Sequence, residues 1–281
     1  MYKRLKLKQA FITVFPREEW LSRASFFVLV PFMASLLLTL TGYANNSPLL
    51  FFLLTAAVVV INIGYQLYLW MTQFFYAQQI MEGEWDDYLL TLQELFTDWE
   101  TKLKLLWLRF YWYLPLLLVA AVFSFFFLQA NPLDTLQGLD VDALVNRVLS
   151  GPWFTGILAL GIVYAISQLL VEQVLVQTSN FVYAQSGSVV SAMNPVVVLK
   201  LVASAVGQFL VAIFLSLIPT MLLTVLLVPL AIIIQIPFLG SLFLGLVTGV
   251  QIIYNTLFMG NIYGQIWQQL EPTYNKISPN N

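Results

Sequence analysis

Long apolar runs alternate with short polar ones along this chain, and about 20 apolar residues in a row are enough to cross roughly 30 Å of bilayer hydrocarbon as a helix. Such runs occupy residues 24–43, 49–71, 106–128 and 153–176. The first two are parted only by the polar turn Asn45-Asn46-Ser47-Pro48. The final apolar block, 201–262, is too long for one span; Pro229, Pro237 and Gly240 divide it and predict helices over 201–228 and 241–262. The pattern predicts an all-α polytopic protein: a single transmembrane domain over residues 1–281 with six spans.

The polar stretches have patterns of their own. In residues 1–23, Leu7, Phe11 and Val14 recur at helical spacing with lysines on the other faces, which predicts a helix lying on the membrane surface. Between spans two and three, Trp85, Tyr88, Leu89, Leu92, Phe96, Trp99 and Leu103 form an apolar stripe at i, i+3, i+4, i+7 spacing. Asp87, Thr91, Glu94, Asp98 and Thr101 fill its other side. This segment is an acidic amphipathic helix, suited either to docking a protein partner or to packing at the interface on its own bundle. A small helix over part of 131–151 is expected to rest on the opposite surface, capped by Asp140.

Composition agrees with the pattern: 60% of residues are hydrophobic and 9% charged, against about 25% charged in soluble domains. Charge placement adds a direction. With six spans starting inside, Lys3, Arg4, Lys6, Lys8, Arg17, Arg23, Lys102, Lys104, Arg109, Lys200 and Lys276 fall on the cytoplasmic side, and only Arg147 outside. Both termini are then cytoplasmic, the plasma membrane is the expected location, and the first helix is expected to act as an uncleaved anchor. A net charge of -2 supplies no patch for nucleic acid, so membrane lipid is the first expected partner. Absence of cysteine and histidine removes thiolate and histidine metal sites, haem ligation by histidine and a histidine general base. No catalytic residue, metal site or cofactor-binding residue is expected, no cofactor is implied, and the chain is not expected to be an enzyme.

Three groups of residues remain as candidates for chemistry or assembly. Glu172 is the one acid well inside a predicted span, with Gln173 beside it and Arg109, at the inner end of span three, as a possible partner. Its position near the cytoplasmic end of span four suits a structural role as well as a proton or ion site. Asp86 and Asp87, with Glu82 and Glu84, read as acids favoured at a helix start rather than as a metal cluster. Ser241, Gly245 and Gly249, continued by Gly260 and Gly264, form a small-xxx-small ladder that lets helix backbones approach closely. An internal echo links 66–78 to 173–185 at an offset of 107, matching Gln66/Gln173, Phe74/Phe181, Tyr76/Tyr183, Ala77/Ala184 and Gln78/Gln185. A three-plus-three repeat would invert the second copy, so shared chemistry where even-numbered spans leave the membrane explains the echo equally well.

The stretch Glu82-Gly83-Glu84-Trp85-Asp86-Asp87-Tyr88-Leu89-Leu90-Thr91 resembles the loop motif of permease subunits of the type-two ABC exporter family, with Lys102 or Lys104 in the place of the lysine that opens span three. The block 229–240 resembles that family's re-entrant stretch. Leu92 stands where the family usually has proline, and an arginine often found near the glutamate is missing. The resemblance implies six spans after a surface helix, a homo- or heterodimer of permeases, and a separate cytoplasmic ATPase. That ATPase would be docked by Glu82, Trp85, Asp86, Asp87, Tyr88, Leu89, Leu92, Phe96 and Trp99. Two other readings stay open: an ion- or proton-coupled secondary transporter using Glu172, and a non-transporting membrane scaffold.

Overall fold

A computed structural model describes residues 5–7, 10, 20–43, 47–84, 97–130, 154–227 and 236–278. Every regular element among them is helical. In chain order these are α1 (Trp20–Tyr43), α2 (Pro48–Glu82), α3 (Trp99–Ala130) and α4 (Phe154–Leu170). A π-helical segment, π1 (Val171–Val176), leads into α5 (Gln177–Ser186), followed by α6 (Val189–Met193), α7 (Pro195–Ser204) and α8 (Val206–Leu227). The chain closes with α9 (Pro237–Ile253), π2 (Tyr254–Phe258) and α10 (Met259–Ile277). Four helical runs are long and apolar enough to cross a membrane: Pro48–Glu82, Trp99–Val122, Ala159–Ser186 and Leu239–Ile277. The bent pair α7–α8 makes a fifth candidate, and α1 contributes a shorter apolar stretch, Phe27–Gly42.

Much of the described surface is bare hydrocarbon. Phe52, Val60 and Ile63 of α2, Leu118 and Val119 of α3, Val163 of α4 and Phe214 of α8 are all more than half exposed. A water-soluble monomer rarely carries apolar patches on this scale, whereas lipid solvates them without cost. The protein is therefore a multi-pass membrane protein in contact with lipid.

Helix ends follow capping chemistry rather than hydropathy, and this moves several predicted boundaries. Pro48 sits in the first turn of α2, where its missing N–H is no loss. The helix then runs 35 residues, eleven past the predicted end at 71, until Gly83 adopts the left-handed conformation (φ 94°). There the N–H of Gly83 donates to the Ile80 carbonyl (3.1 Å) and that of Glu84 to the Gln79 carbonyl (3.0 Å), closing the last turn. α3 starts at Trp99 rather than 106, and the fourth run stays helical to Ser186, ten residues past 176. The last apolar block holds the end of α7, then α8, and after residues 228–235 the final helical run. Pro237 and Gly240, however, belong to the final helix rather than to a break, and the Gly240 N–H donates to the Ile236 carbonyl at 2.6 Å. The sharp change of direction lies instead between α7 and α8, whose axes differ by 84°. Residues 228–235, which include the first part of the predicted re-entrant stretch, lie outside the described residues, as do 8–9, 11–19 and 131–153.

The chain divides into two compact units, Met1–Lys102 with Lys200–Asn281, and Leu103–Leu199. In the first unit α9, π2 and α10 run on as one rod, and the other helices of the unit pack on it. α1 lies antiparallel against α9: Thr39 Oγ1 is 3.1 Å from Ser241 Oγ, and Gly245 and Gly249 follow against Phe32 and Val28. α2 lies parallel to the π2–α10 stretch, since Gln73, Tyr76 and Ile80 meet Asn255, Asn261 and Gln268 in rising order. α8 runs the other way, with Gln208 at Gln269 (3.2 Å) and Leu215 at Tyr254 (3.3 Å). The core of this unit holds Phe74, Tyr76, Ile80, Phe258, Tyr263 and Trp267, with Phe74 and Trp267 edge to face at 5.8 Å. In the second unit α6 folds back on α5, and Ser179 Oγ donates to the Ala192 carbonyl at 2.8 Å.

Candidate functional site: a sheltered ion pair and a polar helix seam

Glu172 lies in π1, one residue into the widened turn. A π-turn carries one more residue per hydrogen-bonded loop than an α-turn and shifts the phase of side chains beyond it; such segments occur often at functional sites. Arg109 and Tyr113 stand four residues apart on α3 and so share a face. The structure brings the three together. An Arg109 guanidinium nitrogen forms a salt bridge with Glu172 Oε1, and the Tyr113 hydroxyl donates to Oε2 at 2.7 Å. The two charged side chains are only 14% and 17% exposed, so the pair is largely withdrawn from solvent. Charges at that depth are costly alone and tolerable as a hydrogen-bonded pair. Tyr113 was not among the residues singled out from the sequence; the i, i+4 spacing from Arg109 was the available signal. Gln173 is half-buried beside Glu172.

A second polar cluster, uncharged, fills the seam between α2 and the π2–α10 stretch. Gln73 Nε2 donates to the Asn255 carbonyl (3.0 Å), inside π2. Asn261 Nδ2 donates to the Tyr76 hydroxyl (3.3 Å), and Gln265 Nε2 to Asn261 Oδ1 (2.8 Å). Gln268 Nε2 reaches the Ile80 carbonyl (2.6 Å), and the Lys6 backbone N–H reaches Gln265 Oε1 (2.6 Å). These bonds are possible because Gly260 and Gly264 bring the two helices together. A Cβ on Gly264 would fall 2.5 Å from Ile80 Cβ, and one on Gly260 would fall 3.0 Å from Tyr76 Cδ1. The other ladder residues, Ser241, Gly245 and Gly249, line the α1–α9 contact instead.

The seam exposes a motif that the pairwise echo missed. Tyr76-Ala77-Gln78 and Tyr183-Ala184-Gln185 have a third counterpart in Tyr263-Gly264-Gln265, and all three tyrosines are buried. The copies fall on α2, α5 and α10, one for every second candidate span. A repeat of two-helix hairpins keeps its copies parallel, which a three-plus-three repeat does not. A search at a period of two spans would have found the third copy.

Of the acidic segment expected to dock a partner, residues 85–96 lie outside the described residues, among them Trp85, Asp86, Asp87, Tyr88, Leu89, Leu92 and Phe96. Its two ends are described. Glu82 Oε1 accepts from Gln78 Nε2 at 3.0 Å, at the end of α2. On the far side Asp98 takes a positive φ (47°), and its Oδ1 accepts from the Thr101 N–H at 3.4 Å, opening α3. Trp99 is 54% exposed, with the Lys102 ammonium 5.7 Å from its ring centroid and bonded to the Thr97 carbonyl. Among the described residues no group of three or more carboxylate side chains is placed to hold a metal ion.

Comparison with known protein families, with curated proteins and with solved structures finds no match for this chain. What its sequence and fold establish together is a helical, multi-pass membrane protein.

Proposed function

We propose that this chain is the membrane-spanning permease subunit of an ATP-driven exporter of the plasma membrane, acting as a dimer of permeases and energised by a separate cytoplasmic ATPase. The subunit itself is not an enzyme. The observation that carries this reading is the acidic, aromatic segment 82–99 held between two helices much longer than a bilayer needs. At 1.5 Å per residue, α2 and α3 extend about 52 and 48 Å, against roughly 30 Å of hydrocarbon. That surplus is length available to project beyond the lipid, and Trp99 is exposed at the start of α3. A partner that reads an amphipathic helix uses such aromatic anchors for affinity and charges for orientation.

Helix direction supports the six-span topology that the reading requires. α2 and the final rod run parallel, so an odd number of crossings must lie between them. α3 and the α4–α5 run provide two, and α8, antiparallel to the rod, provides the third. Adding α1, antiparallel to α9, gives six, with both termini on the side that carries the lysines.

The second reading, an ion-coupled transporter built on Glu172, is favoured by the depth of that carboxylate. Against it, the Glu172 charge is already neutralised by Arg109 and hydrogen-bonded by Tyr113, so a coupling cation would have to displace the guanidinium. The decisive experiment is affinity purification of the chain from its own host membranes, with and without Trp85→Ala/Trp99→Ala. An ATP-hydrolysing polypeptide should co-purify with the wild type and be lost from the folded variant. Its absence from the wild type, or its unchanged retention by the variant, refutes the proposal. Ion-driven flux that persists without nucleotide and is lost in Glu172→Gln would install the second reading in its place; no flux of either kind would leave the scaffold.

A further inference from the structure

The 84° bend between α7 and α8 has a consequence for the membrane surface. α8 has 22 residues, about 33 Å of helix, and its exposed side is apolar from the first turn: Val206, Leu210, Phe214, Met221 and Val225. Lipid therefore begins at about residue 206. A helix nearly perpendicular to a span, joined to it where the lipid begins, lies in the plane of the interface.

α7 is built for that position. Val198 and Leu201 are fully buried, whereas Val196 is 58% and Leu199 54% exposed, with Ala203 continuing the bare row at i, i+3, i+7 spacing. That row runs on into the lipid-facing side of α8 at Val206. Lys200 is exposed beside it and has no acidic partner among the described residues. A lysine stem can lie along such a stripe and deliver its ammonium to the headgroups. The segment is also held in shape. Asn194 Oδ1 accepts from the N–H groups of Val196 (3.0 Å) and Val197 (3.5 Å), and Pro195 stands in the first turn. Ala205 turns the chain through hydrogen bonds to the Val202 carbonyl and from Gln208 and Phe209.

We infer that α7 is an interfacial helix that seats Val196 and Leu199 at the headgroup–acyl boundary and presents Lys200 to the phosphate of an anionic phospholipid. The inference rests on the membrane-spanning fold alone and stands whether or not an ATPase partner exists. Charge complementarity argues for lipid as the occupant: a basic residue flanking an apolar stripe on the lysine-rich side matches an anionic leaflet.

Because the chain has no cysteine, single-cysteine variants carry one label each. Nitroxides at Val196→Cys and Leu199→Cys, in nanodiscs of phosphatidylcholine with phosphatidylglycerol, should be relaxed by oxygen more than by a water-soluble nickel chelate. Their depth should be about 5–10 Å or less below the headgroup–acyl boundary. A label at the exposed Glu271 of α10 should show the reverse preference. Chelate access at 196 and 199 equal to that at 271, or shielding from both reagents, overturns the placement by showing water or protein on this face. For the lysine, native mass spectrometry of Lys200→Gln should show severalfold less retained phosphatidylglycerol, with phosphatidylcholine unchanged. Equal retention of phosphatidylglycerol overturns the headgroup assignment.

Discussion

Substituting Gly264 by alanine tests the helix seam most directly, because the structure sets the size of the clash. The added methyl would lie 2.5 Å from Ile80 Cβ and 2.7 Å from the Ala77 carbonyl oxygen, against an optimum near 3.5–4.0 Å for carbon pairs. Neither neighbour is the free end of a flexible side chain, so α2 and α10 must separate by about 1 Å. Overpacking of this kind costs about 1–3 kcal/mol. The same separation stretches the Asn261–Tyr76 and Gln268–Ile80 hydrogen bonds, each contributing about 0.6 to 1.7 kcal/mol between membrane helices. Replacing glycine in a helix returns at most about 1 kcal/mol. The net loss is about 2–3 kcal/mol, a shift of roughly 30- to 150-fold in the unfolding equilibrium. Gly260→Ala meets the Tyr76 ring at 3.0 Å and the Gln73 carbonyl oxygen at 3.4 Å, a milder clash, and should lose less than half as much. Gly161→Ala, with nothing within 4 Å, is the control and should be neutral or slightly stabilising. Unfolding in mixed detergent micelles, followed by tryptophan fluorescence, ranks the three. Equal behaviour of Gly264→Ala and Gly161→Ala would refute the close approach of α2 and α10.

Arg109→Ala should destabilise the fold by about 3–5 kcal/mol by leaving Glu172 unpaired, whereas Arg109→Met/Glu172→Met should come close to wild-type stability in the same unfolding assay. If the double variant is as unstable as the single one, the pair is not acting as a neutralised unit. Tyr113→Phe removes one hydrogen bond to a charged acceptor and should cost about 1.5–3 kcal/mol, unless the residue contributes only packing. Topology is read by reporter fusions: a green fluorescent protein at residue 281 should fluoresce, and alkaline phosphatase inserted at 232 should be active. The opposite result at either position breaks the six-span count.

Membrane character was legible in the sequence because partition into lipid depends on local composition over about 20 residues, and no tertiary contact alters it. The small residues at 241, 245, 249, 260 and 264 were visible as a ladder, but not that they serve two different partners, α1 and α2. The sequence offered Arg109 as a possible partner of Glu172 and left that choice open, and it did not mark Tyr113. The overrun of α2 beyond 71 was hidden because hydropathy reports where lipid ends, whereas a helix ends where its last carbonyls find another donor, here at Gly83.

Periodicity and charge placement thus determined by themselves that the chain is helical and crosses the membrane repeatedly, and they assigned its cationic segments to one expected side. Only the tertiary structure decided that α2 runs parallel to the final helix, that π1 carries Glu172 to α3, and that the chain bends by 84° between α7 and α8. Each of these depends on which surfaces meet and in what register. In lipid, where burial of apolar groups does not drive one helix onto another, close packing and polar side chains far apart in the chain make that choice.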